Sequence, residues 1–347
     1  MGLVLFHVPA RGAGYHRHLA TRREGGIAPV GPASPVSLTR ELDAYARSLD
    51  FVACGVASLE PSRRSEALDS WLKAGYGGTM RYLHRRAAKR KRPQDIVAGA
   101  RVAVVVLENY LPRGSRDLDA AAGGIKVAKY ARGEDYHRVM MRRLGLLAGW
   151  LREHGAAVAH PWADDGPVPE RELAQRAGLG WIGKNTMLIR PESGSFCLIG
   201  SVFTDLALAP AHPEEYDRCG SCTRCLDACP TGAILEPRLL DATKCISYLT
   251  IESRLPIPDP VIDHLDGWGF GCDICNDVCP WNQRFAEPTR VPEYQDRGTP
   301  DLHDAQFFER MSEDHFAERF GDTPLERPGL TGMRRNWAAA ARSLTPR

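Results

Sequence analysis

Apolar and polar residues follow two regular spacings along this chain from about residue 37 onward. Apolar residues at intervals of three and four predict amphipathic helices, and short β-branched runs predict buried strands. The predicted helices are 37–49, capped by Ser37, and 67–74, 136–151 and 169–177, and the predicted strands are 51–57, 100–107, 156–160, 186–189 and 197–203. We expect 100–107 to be a central strand and the last two strands to form a hairpin. Strands that alternate with helices indicate an α/β layer.

The pattern changes near both ends and near residue 210. Residues 1–37 are rich in Gly, Pro, Arg and His without periodicity, so we expect a disordered N-terminal extension. An α/β domain is predicted at 38–210, a cysteine-rich domain at 211–290 and a short helical C-terminal segment at 291–347. The predicted fold class is therefore α+β.

Length and charge place few limits on the function. The chain has 347 residues, enough for two domains, and a net charge of +2. No apolar run is long enough to span a membrane, and the N-terminus lacks the charged-then-apolar order of a secretory signal. We expect a cytoplasmic monomer without membrane association.

Eight of the ten cysteines form two sets, each of which ends in a Cys-Pro step. The first set has the spacing Cys-x2-Cys-x2-Cys-x3-Cys-Pro of bacterial ferredoxins with two [4Fe-4S] clusters, in which the fourth cysteine ligates the other cluster. The second set has the same ending, but a long insertion follows its first cysteine. The crossover rule assigns Cys219, Cys222, Cys225 and Cys279 to cluster 1, and Cys229, Cys245, Cys272 and Cys275 to cluster 2. The chain is therefore predicted to carry electrons.

Two other uses of cysteine compete with this one. Paired Cys-x-x-Cys zinc sites have similar local spacing, but zinc gives no reason for a third cysteine or for the repeated Cys-Pro step. Disulfide frameworks belong to small secreted chains. The remaining cysteines, Cys54 and Cys197, lie in apolar surroundings and are expected to be core residues.

Basic residues are concentrated between residues 84 and 92, and a second basic set includes Lys126 and Lys129. Such a run is most often a solvated helix face. The sharper interpretation is contact with a polyanion such as RNA, because Lys and Arg supply the phosphate contacts. The candidate RNA-binding residues of the first set are Arg85, Arg86, Lys89, Arg90 and Arg92.

The segment 164–186 carries the most reactive combination of side chains. It has an acid in a Gly/Pro turn, Asp164, then an adjacent Glu170–Arg171 pair on the next helix, and a glycine-rich loop that ends in Lys184–Asn185. An acid held in such a turn near a cofactor can donate a proton. Alternatively, Asp164 caps the helix and Glu170–Arg171 is a surface pair.

Five blocks of sequence together resemble the epoxyqueuosine reductase family. They are KYARGEDYHRVM (129–140), DDGPVPERELAQRAGLGWIGKNT (164–186), the interrupted double-cluster motif, CISYLTIE (245–252) and GCDICNDVCPWN (271–282). The blocks occur in family order with family spacing from about 38 to 282. A weaker resemblance at 321–341 is similar to the start of the family's HEAT-like region, so the chain looks like a short form in which that region is truncated.

The resemblance implies an activity and two kinds of cofactor. The family removes the epoxide oxygen of epoxyqueuosine at the wobble position of tRNA, giving queuosine and water. Electrons pass through two [4Fe-4S] clusters to a cobalamin, which implies a cobalamin-binding catalytic domain at 38–210 and a ferredoxin-like double-cluster domain at 211–290. The implied partners are tRNA that carries epoxyqueuosine and an electron donor that the sequence does not identify.

The resemblance also implies roles for individual residues. The family's proton donor is the Asp of an Asp-Ser/Thr-x-Pro-x-x-Glu-Arg block, which aligns with Asp164, while Asp165 stands where the family has Ser or Thr. Arg171 would hold the substrate or stabilise an oxyanion. The candidate corrin contacts are Ser247, Tyr248, Asp273, Lys184 and Asn185. A reductive dehalogenase, which also pairs cobalamin with two clusters, and a ferredoxin-type electron carrier are the alternative functions.

Overall fold

The structure, a computed structural model, describes residues 34–115, 124–213, 215–298, 301 and 303–345. Nearly all of the predicted N-terminal extension lies outside these residues. Residues Pro35–Arg347 form one unit by their internal contacts. The predicted domain divisions near 210 and 290 therefore stay a prediction.

The helices and strands predicted in the first 210 residues lie close to their predicted positions, and the structure adds a helix at Arg81–Lys91 and strands at Lys126–Val127 and Trp181–Ile182 there. The helices are α1 (Pro35–Ser48), α2 (Ser65–Lys73), α3 (Arg81–Lys91), α4 (Tyr136–Glu153), α5 (Glu170–Arg176), α6 (Arg224–Asp227), α7 (Ile246–Ile251), α8 (Asp259–Ile262), α9 (Ile274–Asp277), α10 (Pro280–Phe285), α11 (Glu313–Phe320) and α12 (Gly329–Ser343). The strands are β1 (Ala53–Ser58), β2 (Val102–Asn109), β3 (Lys126–Val127), β4 (Ala159–Trp162), β5 (Trp181–Ile182), β6 (Leu188–Ile189), β7 (Cys197–Thr204), β8 (Ile234–Glu236), β9 (Leu239–Leu240) and β10 (Trp268–Phe270). Within the described ranges, every helix is too short or too polar to cross a bilayer.

The main sheet has four strands in the order β1-β2-β7-β4. Its central strand β2 is apolar on both faces because both faces are covered. Val104 and Val106 pack on one side with Leu144 of α4, while Val105 and Leu107 pack on the other side with residues of α5. A strand buried on both faces needs a continuous apolar run, which explains why 100–107 could be predicted.

The neighbouring strands of the main sheet pair antiparallel. Two details of the sequence prediction are wrong. The predicted hairpin does not form, because β6 pairs with β5, and β7 pairs with β2 and β4. Helix α1 begins at Pro35, so Ser37 lies inside it and does not cap it.

The cysteine-rich half packs against the first half through strands and through the C-terminal helices. Strand β10 pairs in parallel with β3, which lies well before it in the chain. Helix α12 buries Trp337 against Phe308, with ring centroids 4.8 Å apart, in a cluster that also contains Phe270 of β10. The predicted C-terminal helical segment is thus part of the packing around the cysteine-rich half.

Candidate active site

A cavity of about 1310 Å³ lies between segments that are far apart in the sequence. Pockets for drug-sized ligands have about 300–1,000 Å³, so this space suits a larger group or two ligands together. Asp164 and Arg171 line it together with Cys245, Ser247 and Tyr248. The structure therefore brings the predicted acid and the predicted cluster insertion to one cavity. Further lining residues come from α2, α3 and 323–327, and include Trp71, Met80, Tyr82, Tyr130, Tyr136, Arg238 and Arg327.

The position of Asp164 is defined by its backbone and by two neighbours. Its φ of 59° lies in the left-handed region, which a residue other than glycine rarely adopts. The Tyr136 hydroxyl donates a hydrogen bond to the Asp164 carboxylate at 2.5 Å. The Asp164 backbone N–H donates to Glu170 Oε1 at 2.8 Å. The alternative in which Asp164 merely caps α5 is not what the structure has, because Asp164 donates with its backbone and leaves its carboxylate at the cavity.

Glu170 and Arg171 differ from a surface ion pair. Burial, together with the negative charge of Asp164, raises the pKa of Glu170 from 4.5 to about 8. Arg171 is exposed at the cavity and forms no hydrogen bond or ion pair with another described residue. At neutral pH the two neighbouring carboxyl groups can therefore retain a proton, and one cation is available to a ligand.

Two of the predicted RNA-binding arginines contact the loop that carries Asp164. Arg86 donates to the backbone carbonyl of Asp165 at 2.8 Å. Arg90 donates to the carbonyls of Val168 and Gly166 at 3.0 and 3.3 Å. These guanidinium groups therefore face the protein as well as solvent.

The other predicted RNA contacts divide by exposure. Arg85 and Lys89 are exposed and have no ion-pair partner among the described residues. Arg92 forms an exposed ion pair with Asp95 at 2.6 Å. The prediction for Lys129 is wrong, since this side chain is buried and its ammonium donates to Asp277 at 2.9 Å. Lys126 is paired with Asp266 at 2.8 Å.

The eight motif cysteines come together as two groups of neighbours, and none of the ten cysteines, all within the described residues, forms a disulfide. Burial raises the pKa of Cys225, and the nearby thiols of Cys219, Cys279 and Cys222 raise it further. Burial likewise raises the pKa of Cys275, and the nearby thiols of Cys245 and Cys229 raise it further. Burial also raises the pKa of Cys272, and the nearby thiols of Cys275 and Cys245 add to the increase. Each of these pairs of neighbours shares a cluster in the crossover assignment, except Cys275 with Cys225, which is assigned to the other cluster.

Hydrogen-bond donors surround the cysteine sulfurs, as is usual where iron-sulfur clusters are held. The Ala233 backbone N–H donates to Cys229 Sγ at 3.3 Å, and the Trp181 indole donates to Cys219 Sγ at 3.5 Å. Backbone N–H groups of Ser247 and Tyr248 donate to the Cys245 thiol. The residues present therefore fit two [4Fe-4S] clusters, and one of the candidate ligands, Cys245, lines the cavity.

The five predicted corrin contacts divide into two groups. Ser247 and Tyr248 line the cavity. Lys184 donates to the carbonyl of Gly220 at 2.6 Å, and Asn185 donates to the carbonyl of Cys275. The buried Asp273 carboxylate accepts the Lys129 backbone N–H at 2.7 Å. These last three residues lie outside the cavity lining and bond to segments near the cysteines, and their contact with a corrin stays a prediction.

Tyr136 is a cavity residue that the sequence analysis did not single out. Burial raises its pKa well above the ordinary value, with the Asp164 charge as the next cause, so the phenol stays protonated. Tyr136 lies in the KYARGEDYH block, but its position at the start of a predicted helix gave no sign that it would reach a loop 28 residues later. That contact depends on how α4 packs beside β4.

Comparison with known proteins identifies both halves of the chain. The family model described as "4Fe-4S double cluster binding domain" matches residues 218–282, which confirms the predicted double-cluster motif. The family model described as "Epoxyqueuosine reductase QueG, DUF1730" matches residues 90–164.

Solved structures have the same fold. A crystal structure of epoxyqueuosine reductase with an epoxyqueuosine-modified tRNA-Tyr stem loop superimposes with a TM-score of 0.78 at 28% identity, over 88% of this chain and 81% of the other. The Bacillus subtilis epoxyqueuosine reductase, solved with its catalytic aspartate loop swung out of the active site, has a TM-score of 0.77 at 29% identity, over 88% of this chain and 82% of the other.

Curated relatives agree with the structures. The epoxyqueuosine reductase of Cyclobacterium marinum is 41% identical over 293 residues, which are 84% of this chain and 93% of the relative. That of a Synechocystis species is 39% identical over 290 residues, which are 81% of this chain and 98% of the relative. Relatives at these identities align over nearly their whole length, and the chain therefore belongs to the epoxyqueuosine reductase family.

Proposed function

We propose that this protein reduces epoxyqueuosine in tRNA to queuosine. The reaction replaces the two carbon–oxygen bonds of the epoxide with a carbon–carbon double bond, and it releases the oxygen as water. It consumes two electrons and two protons. The observation that carries the proposal is the cavity that Asp164 and Cys245 both line, since it joins a proton source to an electron source. Family membership disfavours the alternatives of a reductive dehalogenase and a simple electron carrier.

The electrons would enter through two [4Fe-4S] clusters held by the two cysteine sets. Cys219, Cys222, Cys225 and Cys279 would hold cluster 1, and Cys229, Cys245, Cys272 and Cys275 would hold cluster 2. Cluster 2 would lie nearer the reacting group, because its ligand Cys245 reaches the cavity. An electron passing from the cavity-side cluster would then have a short path.

The cavity would hold a cobalamin, since its volume of about 1310 Å³ exceeds that of pockets for drug-sized ligands. When bound, it would supply a strong nucleophile and reductant for opening the epoxide. Ser247 and Tyr248 would hold it beside the Cys245 segment. The Tyr248 hydroxyl is fixed by the backbone and side chain of Thr79, at 2.7 and 2.9 Å, so this wall of the cavity is rigid.

The protons would come from the carboxyl groups around Asp164. Asp164 would donate to the leaving oxygen, since an alkoxide is a poor leaving group without a proton. Tyr136 orients this carboxylate, and Glu170 holds the backbone on its other side. Arg171, which is unpaired among the described residues, would stabilise charge that develops on the oxygen.

The tRNA would approach the mouth of the cavity. Arg85 and Lys89 are exposed on α3 and free to contact phosphates, which supply most of the affinity in protein–RNA complexes. A relative was solved with a modified tRNA stem loop, which supports a tRNA partner for this chain. The electron donor and a monomeric state stay predictions.

The test is an anaerobic reaction on tRNA that carries epoxyqueuosine. The cluster-loaded, reduced protein is supplied with or without cobalamin, and the nucleosides are then analysed by mass. We expect loss of one oxygen from epoxyqueuosine only with both the reductant and cobalamin present. Full conversion by a corrin-free protein would exclude the cobalamin part, and no conversion under any condition would exclude the proposed function.

A further inference from the structure

Helix α3 carries two rows of cations in different environments. Arg86 and Arg90 are one turn apart and both donate to the loop 164–168. Arg85 and Lys89, also one turn apart, are exposed and have no ion-pair partner among the described residues. Residues four apart share a helix face, so one row faces the loop and the other faces solvent.

The loop 164–168 needs support from outside itself. Asp164 has a positive φ, and such a conformation persists only where the surroundings hold it. Gly166 lies against the Trp162 ring so closely that a Cβ there would come within 2.3 Å of it. The carbonyls of Asp165, Gly166 and Val168 accept their hydrogen bonds from the two arginines. The arginines therefore bind most of the length of the loop.

The contact of Arg90 with the loop costs stability, which indicates that the position of the loop matters. Burial lowers the pKa of its guanidinium, and its buried Nε has no hydrogen-bond partner among the described residues. A half-buried charge with an unpaired donor destabilises a fold, and such exceptions concentrate at functional sites. Helix α3 also buries none of its own residues, so its packing alone does not explain the contact.

We propose that Arg86 and Arg90 are positioning residues that hold the loop 164–168, and with it Asp164, at the cavity. The solvent row, Arg85 and Lys89, is then the part of α3 left for RNA, and this second half rests on the proposed function. A guanidinium presents several donors in a plane and can bind two carbonyls at once, as Arg90 does. The single ammonium group of a lysine at this position would bind only one of the two carbonyls.

The test compares the two rows on the cluster-loaded protein. Arg86→Gln and Arg90→Met remove donors to the loop, while Arg85→Gln and Lys89→Gln remove equal charge from the solvent row. Hydrogen–deuterium exchange of peptides that cover 163–170 is measured without tRNA, and kcat and KM are measured with it. We expect faster exchange confined to 163–170 and a kcat lower by about 10- to 100-fold in the loop-row variants.

The solvent-row variants should instead raise KM for tRNA in a salt-dependent way and leave exchange in 163–170 unchanged. Arg90→Lys, which keeps one donor, should recover part of the kcat lost in Arg90→Met. Unchanged exchange and kcat in Arg86→Gln and Arg90→Met would overturn the proposal, and so would a KM effect alone. If Arg90→Met does not fold, Arg86→Gln decides, because the Arg86 side chain is exposed. If no form of the protein acts on the tRNA, the proposed function fails and the exchange result still tests the loop.

Discussion

Asp164 is placed by contacts that reach it from three parts of the chain. The Tyr136 hydroxyl binds its carboxylate, Glu170 binds its backbone N–H, and the arginines of α3 bind the carbonyls that follow it. Preorganised neighbours fix the position of a reacting group before the substrate arrives, which saves entropy in the transition state. The same contacts mean that substitutions which never touch the substrate can still slow the reaction.

The pKa of Glu170 gives a prediction about stability and pH. Its value is about 8 in the folded protein against an ordinary 4.5, because burial and the Asp164 charge disfavour the ionised form. Between these pH values the folded state binds a proton that the unfolded state does not. The free energy of unfolding should therefore fall as pH rises from about 4.5 to about 8, and Glu170→Gln should remove that part of the fall.

Chemical denaturation of wild type and Glu170→Gln at pH 5 and pH 8 checks this prediction. The matched control is Asp165→Asn, an exposed neighbouring acid in the same segment. An equal pH dependence in wild type and Glu170→Gln would show that Glu170 ionises normally.

At the scale of single elements, the main sheet is held by burial on both faces. Strand β2 is covered by α4 on one side and by α5 on the other, and its residues 103–107 are fully buried. Helix α5 directly follows the Asp164 loop and carries Glu170 and Arg171 in its first turn. The packing of α5 on the sheet therefore fixes one side of the active site.

Two leucines of α4 test how much this packing contributes. Leu144 is fully buried against the sheet, whereas Leu146 is 55% exposed. Leu144→Ala should lower the free energy of unfolding by about 2–5 kcal/mol, because it leaves a cavity in the core. Leu146→Ala should change it by no more than about 0.5 kcal/mol. Chemical denaturation of both variants measures this difference. Similar losses of unfolding free energy in the two variants would show that α4 is packed differently.

Helix α3 marks the limit of what charge patterning can predict. The sequence identified its basic residues correctly as a cluster, but it could not divide them between solvent and protein. That division depends on which backbone carbonyls lie opposite the helix, and loop 164–168 is more than 70 residues away in sequence. Side chains of one type on neighbouring faces of one helix can therefore have different roles.

At the scale of the whole molecule, we predict that the two cysteine sets exchange one ligand each. The neighbours of Cys225 include Cys279 from the far end of the motif, and the neighbours of Cys275 include Cys229 from its start. Such an exchange would tie the start of the cysteine-rich half to its end around the inserted loop that reaches the cavity. Loss of Cys279 or of Cys229 should therefore affect a cluster whose other three ligands lie in the other set.

Single cysteine variants test this exchange. Cys279→Ala should lose the same cluster as Cys219→Ala, and Cys229→Ala should lose the same cluster as Cys245→Ala, as read from electron paramagnetic resonance spectra of the reduced proteins. Cys54→Ala is the control, since Cys54 lies outside both cysteine sets and packs against the core of the main sheet. If Cys279→Ala instead matches Cys272→Ala, each set holds its own cluster.

The sequence predicted the molecule best where a pattern is local. Cysteine spacing identified the double-cluster motif, and the run at 100–107 identified the central strand. It failed where pairing is decided by distant partners: β7 pairs with β2 and β4 and not with β6, and Lys129 is neutralised by Asp277. Tyr136 was missed for the same reason, because its hydrogen bond to Asp164 forms only after α4 and the loop pack together.

The most direct test of the central claim is a single-turnover reaction of Asp164→Asn beside Asp165→Asn. Each reduced, cluster-loaded protein is given cobalamin and tRNA that carries epoxyqueuosine, and the nucleosides are analysed by mass. We predict that Asp164→Asn retains both clusters and cobalamin but forms no queuosine, while Asp165→Asn removes one oxygen as the wild type does. Turnover by Asp164→Asn at the wild-type rate, or loss of turnover in Asp165→Asn alone, would contradict the account.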